Sequence, residues 1–210
     1  HDAIACFLRM QMEGISPDDV TFTCILKACG IIGDMEKAKE LHDDILNQGL
    51  LERNVIISNA LVDMYAKSGV LTMAHKVLES LPFRNGITWN ALISGYVQHA
   101  QGHEAIQCFL SMQKEGLLPD KVTFSCILRA CATTQNIDKG KQIHTMMVLC
   151  LGENIVLSSV LVDMYVKCGL LLSARRVLEE IPSRDVVSWS TLIAGYAQHN
   201  QGNEALMCFA

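Results

Sequence analysis

Residues 87–98, ITWNALISGYVQ, alternate apolar and polar positions with the period of a helix. Trp89, Leu92, Ile93, Tyr96 and Val97 stand at i, i+3, i+4, i+7 and i+8, the spacing of one helical face. The pattern breaks at residues 99–102, HAQG. A second stripe follows over 103–115, carried by Ala105, Cys108, Phe109 and Met112, with Gly116 placed to cap it and Pro119 to block its continuation. The unit is helix, short turn, helix. The same pattern predicts helices over 20–29 and 35–48, stopped at Gly49, and over 56–67 and 71–80, stopped at Pro82.

The units recur. NALVDMYAKSG at 59–69 returns as SVLVDMYVKCG at 159–169, and PDDVTFTCILK at 17–27 returns as PDKVTFSCILR at 119–129. Trp89, Gly95, Tyr96, Gln98 and His99 return as Trp189, Gly195, Tyr196, Gln198 and His199. Five units are complete: 19–54, 55–85, 86–120, 121–154 and 155–185, of 36, 31, 35, 34 and 31 residues. Residues 1–18 and 186–210 read as partial copies of the 86–120 unit, so the chain is expected to be a piece of a longer array. All four prolines, Pro17, Pro82, Pro119 and Pro182, fall at unit ends. One helix pair cannot bury its apolar stripe alone, whereas stacked pairs bury it continuously. The expected class is all-α, with first helices lining a concave face.

Composition sharpens this picture in three ways. Half of the residues are hydrophobic, ample for a core, yet no apolar run approaches the roughly 18 residues of a membrane span. The nine cysteines include no C-x-x-C pair; Cys24, Cys29, Cys126 and Cys131 recur among apolar neighbours and read as small buried residues of a reducing compartment. A net charge of −5 excludes a globally basic surface but leaves room for a local basic groove.

The chain resembles the pentatricopeptide repeat family, specifically the plant-type array that alternates standard (P), long (L) and short (S) repeats. The P-type likeness is GITWNALISGYVQHAQGHEAIQCFLSMQKEGLLPD; VTFTCILKACG and VTFSCILRACA carry the L type, and NALVDMYAKSG and SSVLVDMYVKCG the S type. On this resemblance, residues 1–18 form a partial P repeat, 19–54 an L, 55–85 an S, 86–120 a P, 121–154 an L, 155–185 an S, and 186–210 a partial P repeat. The implied fold is a right-handed α-solenoid of stacked helix-turn-helix repeats. The implied function is sequence-specific binding of single-stranded RNA, about one base per repeat, in an RNA-processing and specifically RNA-editing factor of a mitochondrion or chloroplast. Other RNA-editing or RNA-processing proteins are the further expected partners. No cofactor, metal, membrane contact or enzymatic activity is expected of these residues.

Family members select bases through the fifth residue of the first helix and the last residue of the repeat, with an apolar second residue against the base faces. Carried over, the fifth positions are Thr23, Asn59, Asn90, Ser125, Ser159 and Ser190. The last positions are Asn54, Asn85, Asp120, Asn154 and Asp185. The second positions are Val20, Ile56, Ile87, Val122, Val156 and Val187. The resemblance pairs Asn90 with Asp120 for uracil, Asn59 with Asn85 for a pyrimidine, cytosine first, and Ser159 with Asp185 for guanine. It pairs Thr23 with Asn54 and Ser125 with Asn154 for adenine.

The residues themselves are compatible with this. Ile87 and Asn90 are three apart, so they are surface neighbours, and together they lie off the Trp89–Tyr96 face. Asn and Asp at a helix junction serve equally as N-cap or turn residues, and a cap can also touch a base. Carboxylates only accept hydrogen bonds, which suits the N–H edges of uracil and guanine, while an amide can donate or accept.

Other constellations carry less. His99 and His103 are i, i+4, but Gly102 lies between them and the later copy has His199 and Asn203. His42 and His144 read as surface or packing histidines. The pairs Lys37/Lys39 and Lys139/Lys141 read as a solvated face, with a phosphate contact as the alternative. There is no phosphate loop, nucleophile elbow, HExxH or zinc-deaminase signature. A protein-binding helical scaffold is the rival function, favoured by the negative charge and the lack of aromatics at the second positions.

Overall fold

The structure is a computed structural model that describes residues 2–151, 155–180 and 184–209. Among them all regular structure is helical: α1 (Asp2–Met12), α2 (Asp19–Ile32), α3 (Met35–Asn47), α4 (Leu50–Arg53), α5 (Val55–Lys67), α6 (Leu71–Ser80) and α7 (Gly86–Gln98), followed by α8 (Gly102–Lys114), α9 (Lys121–Thr134), α10 (Ile137–Leu151), α11 (Ile155–Lys167), α12 (Leu171–Glu180), α13 (Val186–Gln198) and α14 (Gly202–Phe209). Two compact units result. One runs to His99 and takes in Ser111–Leu118; the other comprises Ala100–Leu110 and the chain from Pro119.

In the first unit, α2, α5 and α7 pack in a row, with α3 against α2 and α6 against both α5 and α7. Their buried faces carry Phe22, Leu26, Leu61, Met64, Tyr65, Leu92 and Ile93, met by Leu41, Ile45 and Leu78 from α3 and α6. Each buried aliphatic side chain stabilises the fold by roughly 1.5–3 kcal/mol. Small residues set the helix spacing. A Cβ on Gly95 would lie 2.6 Å from the Ala66 Cβ and 3.1 Å from its Cα, so only glycine lets α7 approach α5 this closely.

The second unit repeats the plan. Helices α9, α11 and α13 form the row; α10 packs on α9 and α11, and α12 on α11 and α13. Phe124, Leu128, Leu161, Met164, Tyr165, Leu192 and Tyr196 fill its core, with Ile143 and Leu178 opposite. Gly195 holds the place of Gly95, here with the Val166 Cγ1 2.5 Å from where a Cβ would stand.

Histidine–tyrosine contacts tie the second helices α3, α6 and α10 to the first helix of the next pair. His42 Nδ1 lies 3.0 Å from the Tyr65 hydroxyl, His75 Nδ1 3.1 Å from that of Tyr96, and His144 Nδ1 2.8 Å from that of Tyr165. The rings meet edge to face. Burial pushes the His42 and His144 pKa values down and those of Tyr65 and Tyr165 up, because desolvation disfavours the charged form of each. His42 and His144 are therefore packing residues of the repeat interface.

Several sequence expectations need correction. Helix α2 continues to Ile32, beyond the expected end at 29, because Gly30 is buried against the Met64 backbone instead of ending the helix. Gly49 does end α3, with φ 63°, but the unforeseen one-turn helix α4 follows it. Cys29 and Cys131 are buried as expected, whereas Cys24 is exposed and Cys126 half-buried. Lys37 is not simply solvated: its ammonium sits 5.5 Å from the Phe7 ring centroid and pairs with Glu40 at 2.8 Å. Lys139 similarly lies 5.9 Å from the Phe109 ring centroid.

Candidate nucleic-acid interface

The first helices carry apolar residues on the side opposite their cores. Val20 is 68% exposed, Ile56 65%, Ile87 65%, Val122 53% and Val187 64%. These are the second positions; the side chain of Val156 lies outside the described residues. Large apolar side chains so exposed, in one register on five helices, do not serve the core. Neighbouring backbone positions explain the orientation: Phe22, Thr88, Trp89, Thr123 and Phe124 face inward, and the helical period then turns the preceding residues outward.

One turn further along lie the fifth positions. Thr23, Asn59, Ser125 and Ser159 are half-buried, Ser190 is exposed, and Asn90 is buried at 8% exposure. The Thr23 hydroxyl donates to the Asp19 carbonyl at 2.8 Å. Asn59 stands out because its Oδ1 is shut off from solvent and accepts no hydrogen bond from the described residues. An unmet buried acceptor destabilises a fold by about 1–3 kcal/mol, so packing does not account for an amide at this position.

The last positions cap the first helix of the following pair. Asn54 Oδ1 accepts from the Ile56 and Ile57 N–H groups at 2.9 and 3.2 Å, and its Nδ2 donates to Asp19 Oδ2. Asn85 Oδ1 accepts from Ile87 N and Thr88 N at 2.9 and 3.0 Å, and the Thr88 hydroxyl closes a capping box. Asp120 makes the same box with Thr123. Asp185 accepts from Ser188 N at 2.8 Å, and hydrogen bonds from the Ser188 hydroxyl first and its N–H second hold its carboxyl below the usual range. Asn154 lies outside the described residues. The capping reading of these residues is thus correct for all four that are described. It has a chemical consequence. With Oδ1 committed to backbone N–H groups, the other terminal atom distinguishes the residues: an amide donor in Asn85, a second carboxylate acceptor in Asp185.

Sequence reasoning passed over four further members of this face. Lys27 and Arg129 lie seven residues after Val20 and Val122, and both are exposed. Asp63 and Asp163 occupy the same place on α5 and α11, ion-paired to Lys67 and Lys167 at 2.7 and 2.9 Å. The signal was available: i and i+7 share a helical face.

The remaining candidates have other roles. His99 packs over Gly69, whose φ of 78° and lack of a Cβ leave room for the ring, with the imidazole Cε1 2.9 Å from where a Cβ would stand. His199 Nε2 lies 3.2 Å from the Val166 carbonyl. Among the described residues no group of three metal-ligating side chains occurs, and no helix is long and apolar enough to cross a membrane.

Stacked helix pairs, each presenting an apolar residue and a polar residue side by side, define a helical-repeat protein with a periodic surface. The sequence pattern described as PPR repeat family matches residues 84–133, and that described as PPR repeat matches 20–50, 56–85, 156–186 and 187–210. The chain belongs to the pentatricopeptide repeat family. A mitochondrial pentatricopeptide repeat-containing protein of Arabidopsis thaliana is 38% identical over 100% of this chain and 20% of its own length. A chloroplastic one from the same plant is 36% identical over 98% of this chain and 25% of its own. The chain thus spans a quarter or less of these two relatives. Among solved structures, the pentatricopeptide repeat protein PPR10 in complex with an 18-nt psaJ RNA element superposes with a TM-score of 0.76 at 19% identity, over 99% of this chain and 31% of that one. PPR10 from maize gives 0.71 at 23% identity, over 97% and 31%. These likenesses show the fold, a helical-repeat array.

Proposed function

We propose that this chain is part of a sequence-specific array for single-stranded RNA, in which P, L and S repeats alternate and each repeat addresses about one base. The observation that carries the reading is the row of outward apolar residues Val20, Ile56, Ile87, Val122 and Val187, each more than half exposed beside a polar fifth residue. Apolar side chains of this kind pack against base faces, and the adjacent polar groups meet base edges. PPR10, a structural neighbour, is bound to an 18-nt RNA element in two crystal structures.

Chemistry is compatible with the family's base pairings. In Asn85 the cap leaves the amide as a donor, and cytosine presents acceptors on its pairing edge. A carboxylate offers only acceptors, and uracil and guanine present N–H. On the family's pairings, Asn59 with Asn85 selects cytosine before uracil, Asn90 with Asp120 uracil, and Ser159 with Asp185 guanine. Thr23 with Asn54 and Ser125 with Asn154 take adenine, giving 5′-A-(C/U)-U-A-G-3′. The whole protein would act in a mitochondrion or chloroplast, as the names of two relatives say of those proteins, and its role there would be RNA processing, RNA editing first.

A protein-binding scaffold is the second reading, favoured by the net charge of −5. RNA selection followed by sequencing separates the two. Enrichment of the proposed register supports the array. No enrichment from a random pool, with binding to a protein partner instead, supports the scaffold.

A further inference from the structure

At about 100° per residue, Lys27 lies only about 20° from Val20 around α2, and Thr23 about 60° from it. Val122, Ser125 and Arg129 repeat this arrangement on α9. Both cations are exposed, and neither enters an ion pair among the described residues. The S-type helices α5 and α11 put an aspartate at the equivalent place and neutralise it with Lys67 and Lys167. The P-type helices put Ser94 and Ala194 there. Net positive charge on this stripe thus comes from the 36- and 34-residue repeats, once in each compact unit, in a chain whose overall charge is −5.

A lone lysine on a helix surface is ordinary, but here the cation stands in line with the apolar and polar positions of the proposed base site. The bases would lie against the second and fifth residues. A cation one to two turns further along the same stripe is within reach of the sugar–phosphate chain that joins them. We propose that Lys27 and Arg129 bind backbone phosphates of the RNA, so that the long repeats grip the strand irrespective of sequence, in addition to meeting a base. This rests on the RNA-binding reading above and adds a phosphate contact to it.

Phosphate contacts are recognised by salt dependence. Each contact on a single strand contributes about 0.7 to the slope of log K against log salt, which at about 0.1 M salt corresponds to about fivefold in affinity. The experiment titrates the chain with a short single-stranded RNA carrying the proposed register and with one of scrambled sequence, across a salt series. K27Q/R129Q is expected to lower the slope by about 1.4 and the affinity for both RNAs by about 25-fold, leaving their ratio unchanged. K27R/R129K keeps the slope. The control K39Q/K141Q removes the same charge from exposed positions on α3 and α10 and is expected to leave the slope unchanged. A parental slope in K27Q/R129Q overturns the proposal, as does an equal loss in the control, which would mark a general field effect. Absence of binding by the parent chain to either RNA would overturn the RNA-binding reading itself, a result distinct from both.

Discussion

The two copies of the repeated pattern, residues 19–99 and 121–199, differ in where they tolerate change. Contacts between pairs return, His42 with Tyr65 and His144 with Tyr165, and so does an ion pair within one helix, Asp63 with Lys67 and Asp163 with Lys167. Beside the exposed stripe the residues diverge. Asn59 becomes Ser159 and Asn85 becomes Asp185, both without loss of fold or cap. The scaffold is therefore specified by buried pairs that must fit each other, whereas the stripe is free to carry information. What distinguishes the copies chemically is the donor and acceptor pattern they present.

The comparison breaks most severely at the glycines. Gly95→Ala places a Cβ against the Ala66 Cβ and backbone, neither of which can swing aside. Overpacking costs about 1–3 kcal/mol, offset by about 1 kcal/mol of helix propensity. A net loss of up to about 2 kcal/mol is expected in urea unfolding. Gly195→Ala meets both the Val166 Cγ1 and Cγ2, on a β-branched side chain that is stiff at χ1 in a helix, so a loss of similar size is expected. A loss at residue 95 without one at residue 195 would mean that Val166 does not set the helix separation.

Capping comes next. Asn85→Ala removes the acceptor for two backbone N–H groups and is expected to lower stability by about 1 kcal/mol, with base selectivity at the second RNA position lost as well. Thermal melts and competition binding read the two effects separately.

Much of this was legible beforehand because helical period and unit length report burial directly. Of the stripe Trp89, Leu92, Ile93, Tyr96 and Val97, the first four are buried and Val97 is half-buried. The outward face was legible only in part. The register of Val20, Ile56, Ile87, Val122 and Val187 follows from the period, but whether Asn85 caps a helix depends on which oxygen meets which N–H, and composition does not encode that. Helix α4 was missed because a one-turn helix shows no period. His42 and His144 were read as surface or packing residues, but their partners were missed because each is a tyrosine more than 20 residues away in sequence.

A smaller effect tests those histidines. His42 and His144 have folded pKa values below the ordinary value, so the unfolded chain binds more protons. Stability is complete above an unfolded histidine pKa of about 6.5 and falls as pH drops through it. Urea midpoints that stay flat from about pH 7.5 to 5.5 would contradict the burial of these rings. The carboxyl of Asp185, held down by its cap, adds a separate loss only below about pH 4. Asn59→Ala is expected to act in the opposite sense on stability. It deletes the unmet acceptor and should be neutral or stabilising by up to about 1 kcal/mol, while base preference is lost.

The central claim is that one residue at each junction both caps a helix and reads a base. Asn85→Asp tests it most directly, because Asp and Asn cap about equally well but present opposite outward groups. Competition binding of RNAs differing only at the second position of the proposed register measures the outcome. The account predicts an unchanged melting temperature and a shift from cytosine to uracil by something on the order of 1 kcal/mol. A variant that melts with the parent and keeps the parent's preference for cytosine would show that the junction residue caps the helix and does not read the base.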